Sequence, residues 1–347
     1  MSLDAWLQRL WYGPAWRSLP LWPFAVVFRV AVAVRASLYR LGVLRRLHVD
    51  VPVVVVGNIT VGGTGKTPVA AWLSRQLTLR GRRVGVVLRG YGGSHRGAPR
   101  IVTDGDDAAL VGDEALLHVR RGAHVVVIGA DRVAAARLAH QHGAEVVVCD
   151  DGLQHARLAR DLEVAVVDAC RGLGNGWMLP AGPLREPRSR LEKVHAVVFT
   201  QRGEPARPPE KVRGPLSLTA RFGPGDAVNL VTGERRPLDR FAGASDLHAV
   251  AGIGHPEAFF AGLRGAGLEF TEHALPDHAP LDPARLPFPA RATVLMTEKD
   301  AVKCTGFGQP QWWWVELDVS LDRDDASRLL ATVLERTGLT GAGVTLG

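Results

Sequence analysis

From residue 51 onward the chain alternates short apolar runs with stretches of helical period. Val53-Val54-Val55-Val56 is an unbroken run of β-branched residues, the pattern of a strand buried on both faces, and it stops at Gly57. A helical stretch carrying Val69, Ala70, Leu73 and Leu77 follows and ends at Gly81. Comparable strand runs recur at 84–88, 125–128, 146–149, 164–167 and 197–200, with helical patterns at 108–119 and 131–142. This alternation predicts an α/β fold, a mostly parallel sheet with helices on both faces. Residues 204–215, rich in Pro, Arg and Gly, read as a linker. Beyond it the pattern predicts a smaller α/β unit, with strands at 249–253, 268–274, 293–297 and 312–319 and helices at 257–263 and 324–334. The expected organisation is an N-terminal segment (1–48), a larger domain (49–203), the linker (204–215) and a smaller C-terminal domain (216–347).

The N-terminal segment is apolar but interrupted. Arg29, Arg35 and Arg40 break the stretch from Leu21 to Leu44, whereas a membrane-crossing helix needs about 20 predominantly apolar residues. A signal peptide also reads poorly, because Trp and Pro rather than Lys precede the apolar run. The segment predicts an amphipathic helix with Trp11, Trp16, Trp22, Phe24, Phe28 and Tyr39 among aliphatics and arginines, which suits the headgroup boundary of a bilayer. At about 100° per residue Arg29 and Arg40 share a face and Arg35 does not, so a helix packed on the protein's own core is the other reading.

Composition narrows the class. With 347 residues, 46% of them hydrophobic and 22% charged, the chain has ample material for a packed core, which excludes wholesale disorder. The net charge of +7 suits an acidic partner: a phosphate-bearing substrate, anionic lipid or nucleic acid. Only five of the basic residues are lysines (Lys66, Lys193, Lys211, Lys299, Lys303), so a lysine in a special place carries weight. Cys149, Cys170 and Cys304 form no C-x-x-C pair, which argues against disulfide frameworks and Cys-rich zinc sites and for a reducing compartment.

The strongest chemical signal is Gly57-Asn58-Ile59-Thr60-Val61-Gly62-Gly63-Thr64-Gly65-Lys66-Thr67, between a buried strand and a helix. Here a P-loop NTPase-like fold binds phosphate: glycines let successive N–H groups curl toward phosphate oxygens, and the helix adds its positive end. Residues Thr60, Val61, Gly62, Gly63, Thr64 and Gly65 would line the phosphates, with Lys66 reaching the β- and γ-phosphates and Thr67 ligating Mg²⁺. The usual pattern has Gly where Thr60 stands, and a glycine-rich turn without ligand is the plain alternative. The second signal is the strand ending in Asp150-Asp151, followed by Gly152-Leu153-Gln154-His155. An acidic strand end after a phosphate loop is the usual source of the carboxylate near Mg²⁺.

These residues resemble the tetraacyldisaccharide 4′-kinase family, the lipid A 4′-kinases of Gram-negative bacteria. The resemblance extends over Thr67-Pro68, Leu88-Arg89-Gly90-Tyr91-Gly92, Val111-Gly112-Asp113-Glu114, Asp150 to His155 and Leu179-Pro180-Ala181-Gly182-Pro183-Leu184-Arg185-Glu186. In the C-terminal part it continues through Ala251-Gly252-Ile253-Gly254, Pro276-Asp277-His278 and Thr297-Glu298-Lys299-Asp300-Ala301-Val302-Lys303. It implies transfer of a phosphoryl group from ATP to the 4′-hydroxyl of an acylated disaccharide 1-phosphate, giving lipid IVA. It also implies a peripheral enzyme at the cytoplasmic face of the inner membrane. The family's catalytic acid falls on Asp113 and its supporting histidine on His278; read alone, these are a helix or cap residue and a turn residue. The same resemblance gives ATP and Mg²⁺ to Lys66 and Thr67, the metal surroundings to Asp151 and Glu186, and the site lining to Gln154 and His155. Asp150 would stand behind Asp151, since adjacent strand residues point to opposite faces. Arg89, Arg185 and Arg132 could meet phosphate charge, and Lys299 or Lys303 could approach the nucleotide. The chain departs from the family pattern at Ala115, His255 and Ala279.

Two other classes compete. A nucleotide-driven switch or metallochaperone GTPase/ATPase would want a base-reading loop, switch segments and Cys or His metal ligands, and the cysteines here are isolated. A nucleic-acid motor rests on the basic charge alone, which serves lipid phosphate equally, so no nucleic-acid partner is expected.

Overall fold

The structure is a computed structural model that describes residues 3–202, 212–244, 246–254, 256–276, 281, 286–289, 291–304 and 306–339. The chain opens with helix α1 (Leu3–Trp11), a 3₁₀ turn (Ala15–Leu21) and helix α2 (Trp22–Arg40). Strand β1 (Val53–Gly57) and helix α3 (Lys66–Thr78) follow, then β2 (Val84–Leu88), β3 (Arg100–Val102), α4 (Ala108–Val111), α5 (Asp113–Arg120), β4 (Val125–Ile128), α6 (Arg132–Gln141), β5 (Val146–Asp150), β6 (Leu162–Asp168) and β7 (Ala196–Arg202). The C-terminal part holds β8 (Leu216–Asn229), β9 (Arg235–Arg236), β10 (Leu247–Ala251), α7 (Pro256–Gly265), β11 (Thr271–Ala274), β12 (Thr293–Thr297), α8 (Glu298–Ala301), β13 (Trp312–Leu321) and α9 (Arg323–Thr337).

Among the described residues the strands form one sheet in the order β11-β10-β12-β13-β8-β7-β6-β1-β5-β2-β4-β3, with β9 on β8. Pairing is parallel except at β13–β8, β3–β4 and β8–β9. The valine run explains why β1 lies in the middle. Val54 and Val56 pack with Val69, Ala70, Leu73 and Leu77 of α3 and with Leu329, Leu330 and Val333 of α9. Val53 and Val55 face the other way, onto Val133, Ala135, Ala136 and Ala139 of α6 and onto Leu153, Leu158 and Leu184. Each such valine contributes about 1.5 kcal/mol or more by burial, and a polar residue at either face would forfeit it.

Three elements depart from the sequence expectation. The helix expected over 108–119 is two helices, broken at Gly112, which has φ +89° and whose added Cβ would stand 2.4 Å from the Tyr91 carbonyl oxygen. Strand β8 was not expected, because Gly223, Pro224, Gly225 and Asp226 interrupt its apolar pattern. It forms because β7 pairs one edge and β13 the other, and it carries the sheet from the larger α/β region into the smaller one. The strand expected over 268–274 begins only at Thr271.

Helix α2 lies on the body along one side and leaves the other exposed. Ala25 is buried, and Phe28 and Val32 pack on the core beside α6, so one side lies on the body. On the other side Phe24 and Val27 are 64% and 69% exposed, with Val30 and Val34 exposed beside them. The stretch Ala15–Arg40, at a mean hydropathy of 1.6, is long and apolar enough to cross a membrane, contrary to the expectation drawn from its arginines. Only 6% of it is buried against the rest of the protein.

Candidate active site

The site gathers at the C-terminal ends of the parallel strands, where open α/β sheets bind ligands. Strand β1 ends at Gly57, packed so closely that a Cβ there would come within 2.9 Å of the Leu153 side chain. The phosphate loop then turns through Gly62 (φ +107°) and Gly65 (φ +86°) into α3, where Lys66 is the first residue. Gly65 is required twice over, because a Cβ would also fall 2.3 Å from the Phe222 ring of β8. The buried Thr200 hydroxyl donates to the Thr64 carbonyl oxygen at 2.8 Å and holds the far side of the loop.

A strap formed by residues 178–186 secures the near side. The Val61 N–H donates to the Pro183 carbonyl (2.8 Å), the Arg185 N–H donates to the Ile59 carbonyl (2.7 Å), and Thr60 bridges Leu184. The Val61 N–H is therefore spent on the strap rather than aimed at phosphate. Arg185 reaches back to the Asn58 side chain and donates to Asp151 Oδ1 at 3.0 Å. Gln154 Nε2 donates to the Asn58 carbonyl (2.9 Å) and to Glu186 Oε1 (2.8 Å). The N-terminal segment touches the same parts: Trp11 Nε1 donates to the Pro180 carbonyl (2.9 Å), and Arg35 Nη2 to the Gln154 carbonyl (3.0 Å).

The two aspartates have different surroundings. Asp150, 1% exposed, accepts from His118 Nε2 at 3.1 Å, and Thr67 also bonds it. Burial alone would raise its carboxyl, but the His118 hydrogen bond, the His118 and Lys66 charges and the Thr67 bond hold it below the usual carboxylate range. Asp151 sits at φ +52° and lies 3.9 Å from Lys66 Nζ. His155 is half-buried; burial and the Arg132 and Arg160 charges push its imidazole down.

Asp113 opens α5 just after the Gly112 break, beside the end of β2 where Arg89 is exposed. His118, on the same helix, touches Asp150, so α5 links Asp113 to the phosphate-loop side of the site. Asp113 and His118 are five residues apart, about 7.5 Å along the axis. His278, with Asp277 and Ala279, lies outside the described residues, as do His255 and most of the 204–215 linker. Lys299 lies 4.0 Å from Glu114, and Lys303 pairs with buried Asp300 at 2.9 Å. Asp300 also accepts from the Gly252 N–H and the Thr297 hydroxyl, so this motif ties its own loops together. Arg132 is buried at the start of α6, donating to the Gly129 carbonyl. Sequence reasoning missed His118, Asn58 and Arg190. Asn58 was visible inside the loop motif itself; His118 and Arg190 carried no local signal.

The residues fit a nucleotide with a divalent cation. Asp150 Oδ1 and Thr64 Oγ1 are buried beside the loop without a protein partner, as polar atoms awaiting a ligand would be. Among the described residues no three His, Cys, Asp or Glu side chains surround one point. A Mg²⁺ ion here would draw on Thr67, one or two of the carboxylates Asp150, Asp151 and Glu186, and phosphate oxygens, its usual mode.

Comparison with known proteins shows the family. The family model for tetraacyldisaccharide-1-P 4′-kinase matches residues 17–335. The tetraacyldisaccharide 4′-kinase of Alkalilimnicola ehrlichii is 46% identical, over 96% of this chain and 97% of its own. That of Thiobacillus denitrificans is 48% identical, over 90% and 94%. A crystal structure of the "apo" form of LpxK from Aquifex aeolicus in complex with ATP superposes with a TM-score of 0.80 at 28% identity, covering 92% of this chain and 99% of that one. With the phosphate loop, its strap and the paired aspartates in place, the chain belongs to the tetraacyldisaccharide-1-P 4′-kinase family.

Proposed function

We propose that the protein transfers the γ-phosphoryl group of ATP to the 4′-hydroxyl of a tetraacyldisaccharide 1-phosphate, giving lipid IVA. The observation that carries this reading is the convergence of Lys66, Thr67, Asp150 and Asp151 on one strapped phosphate loop, in a chain of this family. The larger region (49–203) supplies the nucleotide site, and the smaller one (216–347) continues the same sheet beside it.

The loop N–H groups and the start of α3 cradle the phosphates, and Lys66 places its charge at the β- and γ-oxygens. Asp151, at salt-bridge distance, keeps the Lys66 ammonium turned into the site. Asp113 accepts the proton of the sugar hydroxyl as its oxygen bonds to the γ-phosphorus and the bond to ADP breaks. His278 steadies that carboxylate or takes its proton onward. Mg²⁺, when bound, offsets the charge gathering on the phosphate oxygens. His118 and Thr67 fix Asp150 beside it, Gln154 and Glu186 brace the loop from below, and Arg89 and Arg185 add positive charge at the rim. The exposed side of α2 and its arginines suit a peripheral protein at the inner-membrane surface, on the cytoplasmic side where ATP is found.

The test is a phosphoryl-transfer assay with γ-labelled ATP, Mg²⁺ and acylated disaccharide 1-phosphate in mixed micelles. Label on the lipid supports the proposal. Nucleotide hydrolysis without acceptor labelling overturns it in favour of a nucleotide-driven switch.

A further inference from the structure

Strand β6 reads Leu-Glu-Val-Ala-Val-Val-Asp, and its second residue sets a carboxylate within the buried part of the strand. Glu163 stands level with Val55 of the central strand and is 9% exposed. Its Oε1 accepts from two arginines, Arg160 Nη1 at 3.1 Å and Arg190 Nη2 at 2.5 Å. Arg190 turns its Nε to Glu186 Oε2 at 3.1 Å, and the other Glu186 oxygen accepts from Gln154. Arg160 donates Nη1 to the carbonyls of Gly152 (3.4 Å) and Leu153 (3.2 Å), and Nη2 to that of His155. One buried carboxylate thus joins two arms. One grips the turn that follows Asp150-Asp151, and the other grips Glu186.

Stability alone does not call for this arrangement. Burying two cations and two anions costs several kcal/mol per ion, and an apolar set of the same volume commonly serves a core as well or better. What the charges supply is fixed direction: each arm ends on a group beside the phosphate loop. Removing the Glu163 charge leaves both arginines without their shared partner, and both arms loosen together.

We propose that Glu163 is a positioning residue for the cation–nucleotide end of the site, acting through Arg190 on Glu186 and through Arg160 on the turn after Asp151. The inference rests on the reading that Glu186 and Asp151 belong to the surroundings of Mg²⁺. It is tested with Glu163→Gln in the full chain, which keeps the side-chain shape and removes the charge. The binding readout is the Mn²⁺ affinity of the protein with bound AMP-PNP, followed by electron paramagnetic resonance. The kinetic readout is the Mg²⁺ concentration for half-maximal turnover.

Glu163→Gln is expected to weaken Mn²⁺ binding about tenfold, the scale seen when a group orienting a metal ligand is lost. The Mg²⁺ requirement should rise in parallel while KM for the lipid stays unchanged. In a Glu186→Gln background the added substitution should cost less than it does alone, since only the Arg160 arm is left to loosen. A folded Glu163→Gln protein with unchanged Mn²⁺ affinity, beside a Glu186→Gln protein in which it falls, overturns the inference. If neither Glu186→Gln nor Asp151→Asn weakens Mn²⁺ binding, the reading of those residues fails and the inference falls with it. Should Glu163→Gln not fold, Arg190→Gln cuts the Glu186 arm alone. The same shift in Mn²⁺ affinity supports the inference there, and its absence overturns it.

Discussion

Lys66 is the one lysine in the phosphate loop, and its ammonium lies between that loop and Asp151. Removing it takes away a preorganised positive charge aimed at the transferring phosphate. Lys66→Ala is expected to lower kcat by at least about 100-fold with the fold intact, the cost of losing one such donor. Near wild-type turnover from a folded variant would contradict the phosphate-loop assignment. Asp113 is the residue proposed to act on the other reactant, so Asp113→Ala should lower kcat far more than ATP affinity. His278→Ala should do the same less severely. The double variant should lose less than the two single losses combined, as residues acting on one proton do. Additive losses would separate the pair, and a selective fall in ATP affinity would place Asp113 on the nucleotide. At this scale the sequence was legible wherever a residue belongs to a contiguous motif, as Lys66, Thr67 and Asp150-Asp151 do. His118, Glu163 and Arg190 were not legible. The contacts that join them to the site, His118 to Asp150 and Arg190 to Glu163, span 32 and 27 residues, and Arg and Glu are too common here for one of them to stand out.

Among the elements, the phosphate loop shows how much of a local motif is set from a distance. Glycine at 65 answers both a left-handed backbone and the Phe222 ring arriving from β8. Gly65→Ala should cost the left-handed penalty of about 1 kcal/mol plus the overlap with that ring. Adding Phe222→Ala should recover the overlap share of the loss in melting temperature and ATP affinity, leaving the backbone share. If Phe222→Ala recovers nothing, the ring is not what crowds the loop. The strands of the larger region were readable because each is a continuous apolar run buried on both faces. Two features were hidden. The break at Gly112 comes from the close approach of the Tyr91 carbonyl, and β8 owes its existence to partners on both edges rather than to its own Gly- and Pro-interrupted pattern. Both matter for the site, since one places Asp113 at the start of a helix and the other delivers Phe222.

Across the whole molecule, the proposed function would have acyl chains hold the substrate in a bilayer, and the catalytic ends of the strands would then meet a lipid surface. Helix α2 has an apolar side turned away from the body. Ala25, Phe28 and Val32 face the body, and Arg35 bonds the Gln154 carbonyl, while Phe24, Val27 and Val30 stand clear of it. Arg29, Arg40, Arg45 and Arg46 are exposed on and just after this helix, and a basic group near a lipid surface adds on the order of 1 kcal/mol of attraction to anionic lipid, screened by salt. Replacing Phe24, Val27 and Val30 together with Ser should therefore release the protein from anionic vesicles and raise the apparent KM for micellar substrate. Turnover of a short-chain, water-soluble analogue should hardly change. Phe28→Ser makes the contrast: its side chain packs on the core, so the loss should appear in melting temperature more than in vesicle binding. If the triple Ser variant still binds vesicles undiminished, or loses both substrates equally, then the outer side of α2 does not touch lipid and the helix serves only to brace the turn at Gln154.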